Sequence, residues 1–203
     1  MLVATIICFD DMPLIKECVE SIIDKVDKII AVDGAYDDFP CDINYSTDGT
    51  LDYLDKLSDK VELILAPGLA EVAKRNLYLE PLADGDTVLN IDADEVLIGD
   101  IPELKTDFGI VDWHDGHSKH VQRRVTKIFK YRTGLRYLHC HYTLYYNEQI
   151  VNKLHEVINK DFTSEYIKDF YMIHNWHLRD ELRKHNKSIY YKKLVKLEAG
   201  FVK

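Results

Sequence analysis

The first half of the chain alternates short apolar runs with segments in which apolar residues recur at helical spacing. Uninterrupted apolar runs of this kind are typical of strands buried on both faces of a parallel sheet. The predicted strands are residues 2–9, 26–32, 61–65 and 87–91. The predicted helices are residues 14–23, 50–57 and 71–80. Strands that alternate with helices predict an α/β domain with a mainly parallel sheet flanked by helices.

The second half is less regular and is rich in aromatic and histidine side chains. Short strands are predicted at residues 125–130 and 141–146, and a final helix is predicted from about Leu178 to Leu197. No repeat, low-complexity tract or polar linker separates the two halves. We therefore predict one domain over residues 1–203, made of a regular half up to residue 100 and an irregular half that ends in a helix.

Composition and charge exclude several classes of protein. The 203 residues are 46% hydrophobic and 30% charged, as in ordinary globular domains. The formal net charge of -9 argues against nucleic acid as a partner, because nucleic-acid binding needs a positive surface. No uncharged stretch reaches the roughly 18 residues of a membrane span. The four cysteines form no Cys-x-x-Cys pair and no basic leader is visible, so we expect a reducing, cytoplasmic location.

Carboxylates follow three of the four predicted strands. Asp10 comes after the first strand, Asp33 after the second, and Asp92-Ala93-Asp94-Glu95 after the fourth. Ligands of open α/β sheets bind outside the carboxyl ends of the strands, so we expect these side chains at one ligand-binding edge. Two carboxylates spaced as Asp-x-Asp can hold Mg²⁺ or Mn²⁺ and leave coordination positions for phosphate oxygens. In the competing interpretation Asp92 caps a turn, and Asp94 and Glu95 are solvated.

An ordered series of motifs extends this pattern. The series consists of Asp10-Asp11, Val32-Asp33-Gly34, Ser46-Thr47-Asp48-Gly49-Thr50, Ala73-Lys74-Arg75-Asn76 and Asn90-Ile91-Asp92-Ala93-Asp94-Glu95. Over residues 3–98 it resembles the GT-A glycosyltransferases, and family 2 of these enzymes in particular. Family 2 enzymes usually carry Asn-Glu in place of Asp10-Asp11, and they often lack the segment that corresponds to residues 35–45. That insertion is either a lid over the nucleotide or an inert loop.

The resemblance implies a Rossmann-like GT-A fold and a metal-dependent transfer of a hexose or deoxyhexose. The donor would be a nucleoside-diphosphate sugar, with uridine diphosphate favoured, and the acceptor would be a hydroxyl of a glycan, lipid-linked or protein-linked molecule. Residues 1–100 would bind the donor and residues 101–203 the acceptor. The implied donor contacts are Phe9, Asp10, Asp33, Gly34, Lys74, Arg75 and Asp92. Asp94, with Asp92, would ligate Mn²⁺ or Mg²⁺. For Arg75, a surface salt bridge on its helix is the alternative.

The base of the reaction is expected in the second half. Transfer with inversion needs a group that takes the proton of the acceptor hydroxyl, and a carboxylate is the usual choice. Leu154-His155-Glu156-Val157 is similar to a segment of some family 2 enzymes in which the His-Glu pair lies in the acceptor site. Glu156 is therefore our candidate base. Asp112 and Asp115 are competing candidates.

Histidines and cations around the start of the final helix complete the implied site. His174, in preference to His177, is implied as a further metal ligand beside Asp94. A group of cations follows and could neutralise a diphosphate, with Arg179 as the first candidate. The group is Arg179, Arg183, Lys184 and Lys187. For each of them the alternative is a solvated helix face.

Three other functions stay open at this point. Asp92 and Asp94 also fit the first motif of HAD-type phosphatases, but that motif normally lies on the first strand and here follows the fourth. A nucleotidyltransferase on a similar sheet would also bind a nucleotide and a metal, but residues 9–13 contain no glycine for a phosphate-binding loop. The third alternative is a sugar-nucleotide-binding domain with weak catalysis. The chain is short for a glycosyltransferase, which is consistent with one domain of a longer polypeptide.

Overall fold

The computed structural model describes residues 1–117, 120–139, 143–153 and 156–201, with side chains up to residue 192. In the first half it contains every predicted strand and helix, with ends that differ from the predictions by a few residues. These elements are β1 (Leu2–Cys8), α1 (Leu14–Ile22), β2 (Lys28–Asp33), α2 (Thr50–Asp55), β3 (Val61–Leu65), α3 (Glu71–Leu77) and β4 (Thr87–Asn90). The α/β prediction is confirmed for this half.

The four strands of the first half are parallel and lie in the order β3-β2-β1-β4. Successive side chains of β1 pack into cores on opposite faces of the sheet. Ala4 and Ile6 pack in one core with Ile15 and Val19 of α1. Val3 and Ile7 pack in a second core on the other face. Both faces of these strands are therefore covered, which is the reason for their uninterrupted apolar runs.

The second half is more regular than its sequence pattern indicates. Its elements are β5 (Glu95–Ile98), β6 (Phe108–Asp115), β7 (Val121–Lys130), β8 (Arg136–Tyr137), β9 (Leu144–Tyr146), β10 (Gln149–Ile150), β11 (Asn152–Lys153), β12 (Glu156–Val157), β13 (Ser164–His174), a 3-10 helix (Trp176–Leu178) and α4 (Glu181–Phe201). The predicted strand at 125–130 is the end of β7. The predicted strand at 141–146 is described from residue 144 as β9, and residues 141 and 142 lie outside the described residues.

Four strands of the second half continue the main sheet, which has eight strands in the order β3-β2-β1-β4-β7-β6-β13-β5. Strand β7 is antiparallel to both β4 and β6, and β13 is parallel to β6 and antiparallel to β5. The sheet is therefore parallel in its first half and mixed overall. Two small sheets, β10-β9-β8 and β11-β12, lie outside it.

The final helix is confirmed, and it begins at Glu181, three residues after the predicted start. Its Tyr190 is buried in a small aromatic core with Phe9 and Phe39 of the first half. The 3-10 helix precedes it and carries Arg179 at its end. No helix in the described ranges is long and apolar enough to cross a membrane.

Candidate active site

The predicted carboxylate edge is present at the carboxyl ends of three adjacent strands. Asp33 is the last residue of β2, Asp10 and Asp11 follow β1, and the segment from Asp92 to Glu95 follows β4. Because β2, β1 and β4 are neighbours in the sheet, these side chains converge although they lie far apart in the sequence.

Asp94 is one of the buried carboxylates of this edge, and its two oxygens have different surroundings. Asp94 Oδ2 lies 2.8 Å from Arg179 Nε and 3.3 Å from His174 Nε2. Asp94 Oδ1 is buried and has no hydrogen-bond partner among the described residues. Burial alone would raise the pKa of Asp94, but Arg179, Lys187 and His174 hold that pKa well below its ordinary value. The carboxylate is therefore charged, and one of its buried oxygens has no hydrogen-bond partner among the described residues.

Arg179 also pairs with Asp11, the residue after the predicted Asp10. The guanidinium is buried and joins the turn after β1 to the turn after β4. The structure thus places Asp11 in the carboxylate cluster, whereas Asp10 turns away from it. Asp10 has a φ of 45°, in the left-handed region that Asp tolerates better than most residues.

Asp92 lies between two cations and stays partly open. Its oxygens are 3.1 Å from Arg75 and 3.3 Å from Lys127, and its side chain is 38% exposed. Lys127 also lies 2.6 Å from Glu95, which accepts a hydrogen bond from the Trp113 indole at 2.7 Å. Burial opposes ionisation of Asp92, but Lys127 and Arg75 hold its pKa far below the ordinary value.

Arg75 is buried, which excludes the alternative of a surface salt bridge. It lies 3.0 Å from Glu71 and 3.1 Å from Asp92, and donates to the amide oxygen of Asn90 at 3.1 Å. Arg75 therefore positions Asp92 through a network held by α3 and β4. Its predicted contact with the base or the phosphates of a nucleotide stays a prediction.

Two of the predicted nucleotide contacts, Asp33 and Asp10, are already hydrogen-bonded to other residues of the protein. Asp33 is fully buried, and it accepts hydrogen bonds from the backbone N–H (3.1 Å) and the hydroxyl of Ser46. Asp10 accepts one from the backbone N–H of Thr47 at 2.7 Å. Burial raises the pKa of Asp33, although the bonds from Ser46 act in the opposite direction. The Ser-Thr-Asp-Gly-Thr motif is thus attached to the ends of β1 and β2.

Gly34 and Lys74 form a second internal contact in this region. The Lys74 ammonium donates to the carbonyl oxygen of Gly34, and its side chain is fully buried. Burial lowers the pKa of Lys74 to about 8. Gly34 has a φ of +132°, and a Cβ there would lie 2.8 Å from backbone atoms of Pro67. Glycine is therefore required at this position by the close approach of the two segments.

The insertion at residues 35–45 packs against the final helix beside Phe9. Tyr36 stacks on Tyr190 with ring centroids 5.0 Å apart, and the Phe39 ring lies 5.8 Å from that of Phe9. The Arg183 guanidinium lies 4.9 Å from the Phe9 ring and 5.0 Å from the Phe39 ring. Together they leave a cavity of only about 50 Å³ next to Phe9 and Asp11. We call it the small cavity.

A larger cavity of about 320 Å³ lies on the other side of Asp92. Strand β7 forms one wall of it with alternate side chains, and β6, β8 and β13 contribute aromatic and histidine side chains. The β7 residues on this wall are Arg123, Val125, Lys127 and Phe129 together with Thr126 between them, and the residues from the other three strands are Trp113, Tyr137 and His174. Both cavities share Arg75, Asp92, Lys187 and Tyr191, so they form two compartments of one cleft.

None of the three predicted bases is among the residues that line the two cavities. Glu156 is exposed on β12 and is not among the residues that line the larger cavity, although Asn152 of the neighbouring β11 is. Its sequence neighbours Leu154 and His155 lie outside the described residues. Asp112 faces away from the cleft, because it contacts Arg124 at 3.3 Å and Tyr166 at 2.7 Å on the other face of the sheet. The role of Glu156 stays a prediction.

His174 and His177 also differ in their positions. His174 reaches Asp94, whereas the His177 ring packs on His117 with centroids 5.6 Å apart. Asp115 accepts hydrogen bonds from the side chain of Gln122 at 2.9 Å and from the backbone of His117 at 3.0 Å, outside the cavity lining. In the part of the chain that the structure describes, no group of three or more His, Cys, Asp and Glu residues could by itself hold a metal ion.

Several residues of the cleft were not predicted as site residues. They are Asp11, Glu71, Asn90, Glu95, Trp113, Arg123, Lys127 and Tyr137. The period of two along β7 was the available signal for Arg123 and Lys127, because alternate residues of a strand face the same side. No comparable signal indicates Trp113 or Tyr137, since their positions depend on pairing between distant strands.

Comparisons with known proteins assign no family to the chain. No protein-family model matches the chain, and none of the curated proteins matches it. Solved structures with some likeness include S. aureus TarS (19% identity, TM-score 0.46, 64% of this chain and 28% of that chain). A structure of residues 1–349 of S. aureus TarS has 20% identity and a TM-score of 0.45, over 64% of this chain and 47% of that one. HddC from Yersinia pseudotuberculosis has 15% identity and a TM-score of 0.43, over 86% of this chain and 93% of that one.

Likenesses of this size carry no information about activity or substrate. The chain also spans less than half the length of either TarS structure. The architecture itself is a mixed α/β fold with a large central sheet flanked by helices, and it is compatible with a GT-A-like fold.

Proposed function

We propose that this chain is a glycosyltransferase domain that moves a hexose or deoxyhexose from a nucleoside-diphosphate sugar, with uridine diphosphate favoured, to an acceptor hydroxyl with inversion. The observation that carries the proposal is the placement of Asp94 at the carboxyl end of β4. A charged carboxylate there has one oxygen without a partner among the described residues, next to His174 and Arg179. This is the edge at which open α/β sheets bind ligands.

The two compartments suit the two substrates of such a reaction. The small cavity is lined by Phe9 and by Cys8, which pairs with Asp33 in the sheet, and the nucleotide would bind there. The larger cavity would hold the transferred sugar and the acceptor. Asp92 lies in the lining of both, so it would contact the donor sugar at the point of transfer. A nucleotide needs more than the roughly 50 Å³ of the small cavity, so donor binding would separate the 35–45 insertion from α4.

The charges of the cleft fit a diphosphate together with a divalent cation. Asp94 Oδ1 would offer an oxygen ligand for Mn²⁺ or Mg²⁺, His174 Nε2 would join it only by releasing Asp94 Oδ2, and phosphate oxygens and water would complete the coordination. Asp92 would join only by releasing Arg75 or Lys127. When bound, the metal would neutralise charge on the departing diphosphate. Arg179 and Lys187 would bind the phosphates from the α4 side.

The proton of the acceptor hydroxyl would go to a carboxylate. Glu156 is our candidate, since β12 pairs with β11 and Asn152 of β11 lines the larger cavity. Asp112 is disfavoured by its position on the opposite face of the sheet.

Donor binding and turnover test this proposal. The purified chain is screened by thermal shift against uridine and guanosine diphosphate sugars, each with and without Mn²⁺, and released nucleoside diphosphate is measured for every sugar nucleotide that binds. We expect one class of sugar nucleotide to raise the melting temperature, and Mn²⁺ to enhance its cleavage.

Asp94→Asn should reduce that cleavage by about 100-fold or more, as expected for loss of a group that stabilises transition-state charge. The matched control is Glu20→Gln, which removes an exposed carboxylate on α1. Absence of stabilisation by every sugar nucleotide would refute the proposal. Release of pyrophosphate from a nucleoside triphosphate and a sugar phosphate would instead identify a nucleotidyltransferase.

A further inference from the structure

A row of stacked side chains leads from the candidate metal-binding position to the outer part of the larger cavity. His174, next to Asp94, packs on the Trp113 ring with centroids 4.4 Å apart. The Arg123 guanidinium lies 4.3 Å from the Trp113 ring. Trp113 is buried and its indole N–H donates a hydrogen bond to Glu95, so the ring on which Arg123 packs has a fixed orientation. Arg123 therefore packs on a buried ring while its own side chain stays exposed on the wall of the cavity.

The cations of the larger cavity differ in what neutralises them. Arg75 and Lys127 pair with Asp92 and Glu95 inside the cleft. Arg123 and Lys187 line the cavity and have no ion-pair partner in the described ranges. Within a chain of net charge -9, this compartment thus has a local excess of positive charge. An excess of this kind attracts an anionic ligand.

The two cations without ion-pair partners have different places in the cleft. Lys187 lines both compartments, so its positive charge could serve to bind the diphosphate of a donor. Arg123 lines only the larger compartment, on the strand wall away from Phe9 and Asp11. A donor diphosphate next to Asp94 would therefore leave the exposed Arg123 guanidinium on the cavity wall free to bind a second anion.

The other residues that line the larger cavity indicate what the uncharged part of that ligand is. Tyr137, Phe129 and Leu144 give the cavity an apolar part, and the partly exposed carboxylate of Asp92 can accept hydrogen bonds. The volume of about 320 Å³ lies at the lower end of the range for small-molecule sites, about 300 to 1,000 Å³. A single sugar unit matches this combination of an apolar face, polar hydrogen-bonding groups and small size.

We propose that the acceptor is anionic: a sugar unit that carries a phosphate or a carboxylate group, which Arg123 binds. The inference rests on the proposed function, because it assigns the larger cavity to the acceptor. The planar guanidinium presents paired N–H donors that match either anion. Arg123 is then a specificity-determining residue, which selects charged acceptors over neutral ones.

The adjacent Arg124 provides a matched control. It lies on the opposite face of β7, 3.3 Å from Asp112 and 4.2 Å from the Tyr166 ring, and does not line the cavity. Arg123→Gln and Arg124→Gln therefore remove the same charge from adjacent residues. Dissociation constants are measured by isothermal titration for glucose 6-phosphate, glucuronic acid and glucose, with wild type and both variants at one salt concentration.

We expect wild type to bind at least one of the two anions more tightly than glucose. Arg123→Gln should raise the dissociation constant of that anion by about 10-fold or more, in the range of a charged hydrogen bond. Arg124→Gln should change the same constant by less than about twofold. The two anions distinguish a phosphate from a carboxylate substituent. Equal binding of all three probes, no binding of either anion, or equal losses in both variants would each overturn the proposal.

Failure of this inference is distinguishable from failure of the proposed function. The titrations contain no nucleotide, and the sugar-nucleotide experiments depend on Asp94, which Arg123 does not contact. Nucleotide-sugar cleavage without anion selectivity would leave a glycosyltransferase with a neutral acceptor. Arg123-dependent anion binding without any response to sugar nucleotides would leave an anion site in a protein of another function.

Discussion

Arg179 Nε lies 2.8 Å from Asp94 Oδ2, and Nη1 of the same guanidinium pairs with Asp11 Oδ1. One side chain from the segment before α4 thus joins the turns that follow β1 and β4. All three groups are buried, so each carboxylate depends on Arg179 for compensation of its charge. The same guanidinium lies where a donor diphosphate is proposed to bind.

Removal of Arg179 is expected to destabilise the fold. Arg179→Met leaves Asp11 and Asp94 buried with less compensation, so the free energy of unfolding should fall by about 3 to 5 kcal/mol, as for other broken buried ion pairs. Urea denaturation measures this. The matched control is Arg136→Met, since Arg136 forms an exposed pair with Glu148 and its loss should cost less than about 1 kcal/mol. Equal effects of the two substitutions would contradict the structural role of Arg179.

Stability is expected to fall in acid because of Asp92 and Asp94. The pKa of each is lower in the folded protein than the ordinary 3.8, so below that value the unfolded chain binds more protons. Their stabilisation is therefore present above about pH 4 and is lost as the pH falls. Asp33 acts in the opposite direction, since its folded pKa is raised.

The free energy of unfolding, measured between pH 7 and pH 2.5, should therefore decrease on acidification. Asp94→Asn should have a weaker pH dependence than wild type over the same range. An unchanged slope in Asp94→Asn would show that its pKa is not lowered by folding.

Stability is expected to rise on the alkaline side because of Lys74. Its pKa is about 8 in the folded protein and 10.5 ordinarily, so between these values the unfolded chain binds more protons. The free energy of unfolding contributed by this residue should therefore increase by on the order of 2 to 3 kcal/mol from pH 8 to pH 10.5. Lys74→Met should remove this increase, whereas Lys168→Met, at an exposed position, should retain it. The same slope in both variants would argue against a neutral Lys74.

Nucleotide binding is expected to change the contact between the insertion and the final helix. The small cavity of about 50 Å³ is closed by Phe39 and by the stack of Tyr36 on Tyr190. Hydrogen exchange with uridine diphosphate and Mn²⁺ should therefore change in residues 35–45 and in α4, and stay constant in α1. Tyr190→Ala should raise exchange in residues 35–45 without nucleotide. Constant exchange in both segments, under conditions where the nucleotide binds, would favour an inert insertion.

The sequence pattern predicted the first half of the fold well, because each element there carries a local signal. Continuous apolar strands, amphipathic helices and their order along the chain are enough to predict β1, β2 and β4 as strands of one mainly parallel sheet. The second half was harder to predict. Strand β13 has many exposed positions and pairs with β6 and β5, which lie 49 or more residues away, so its local pattern resembles a loop.

By itself the sequence determined that carboxylates would meet at one edge of an α/β sheet, because local periodicity places Asp33, Asp92 and Asp94 after predicted strands and ligands bind outside the carboxyl ends of such strands. Only the tertiary structure decided how they are used. Pairing between distant strands brings His174 to Asp94 and Arg123 to Trp113, and the docking of the final segment brings Arg179 to Asp11, 168 residues away. Such contacts depend on strand register and helix packing, and local periodicity contains no information about either.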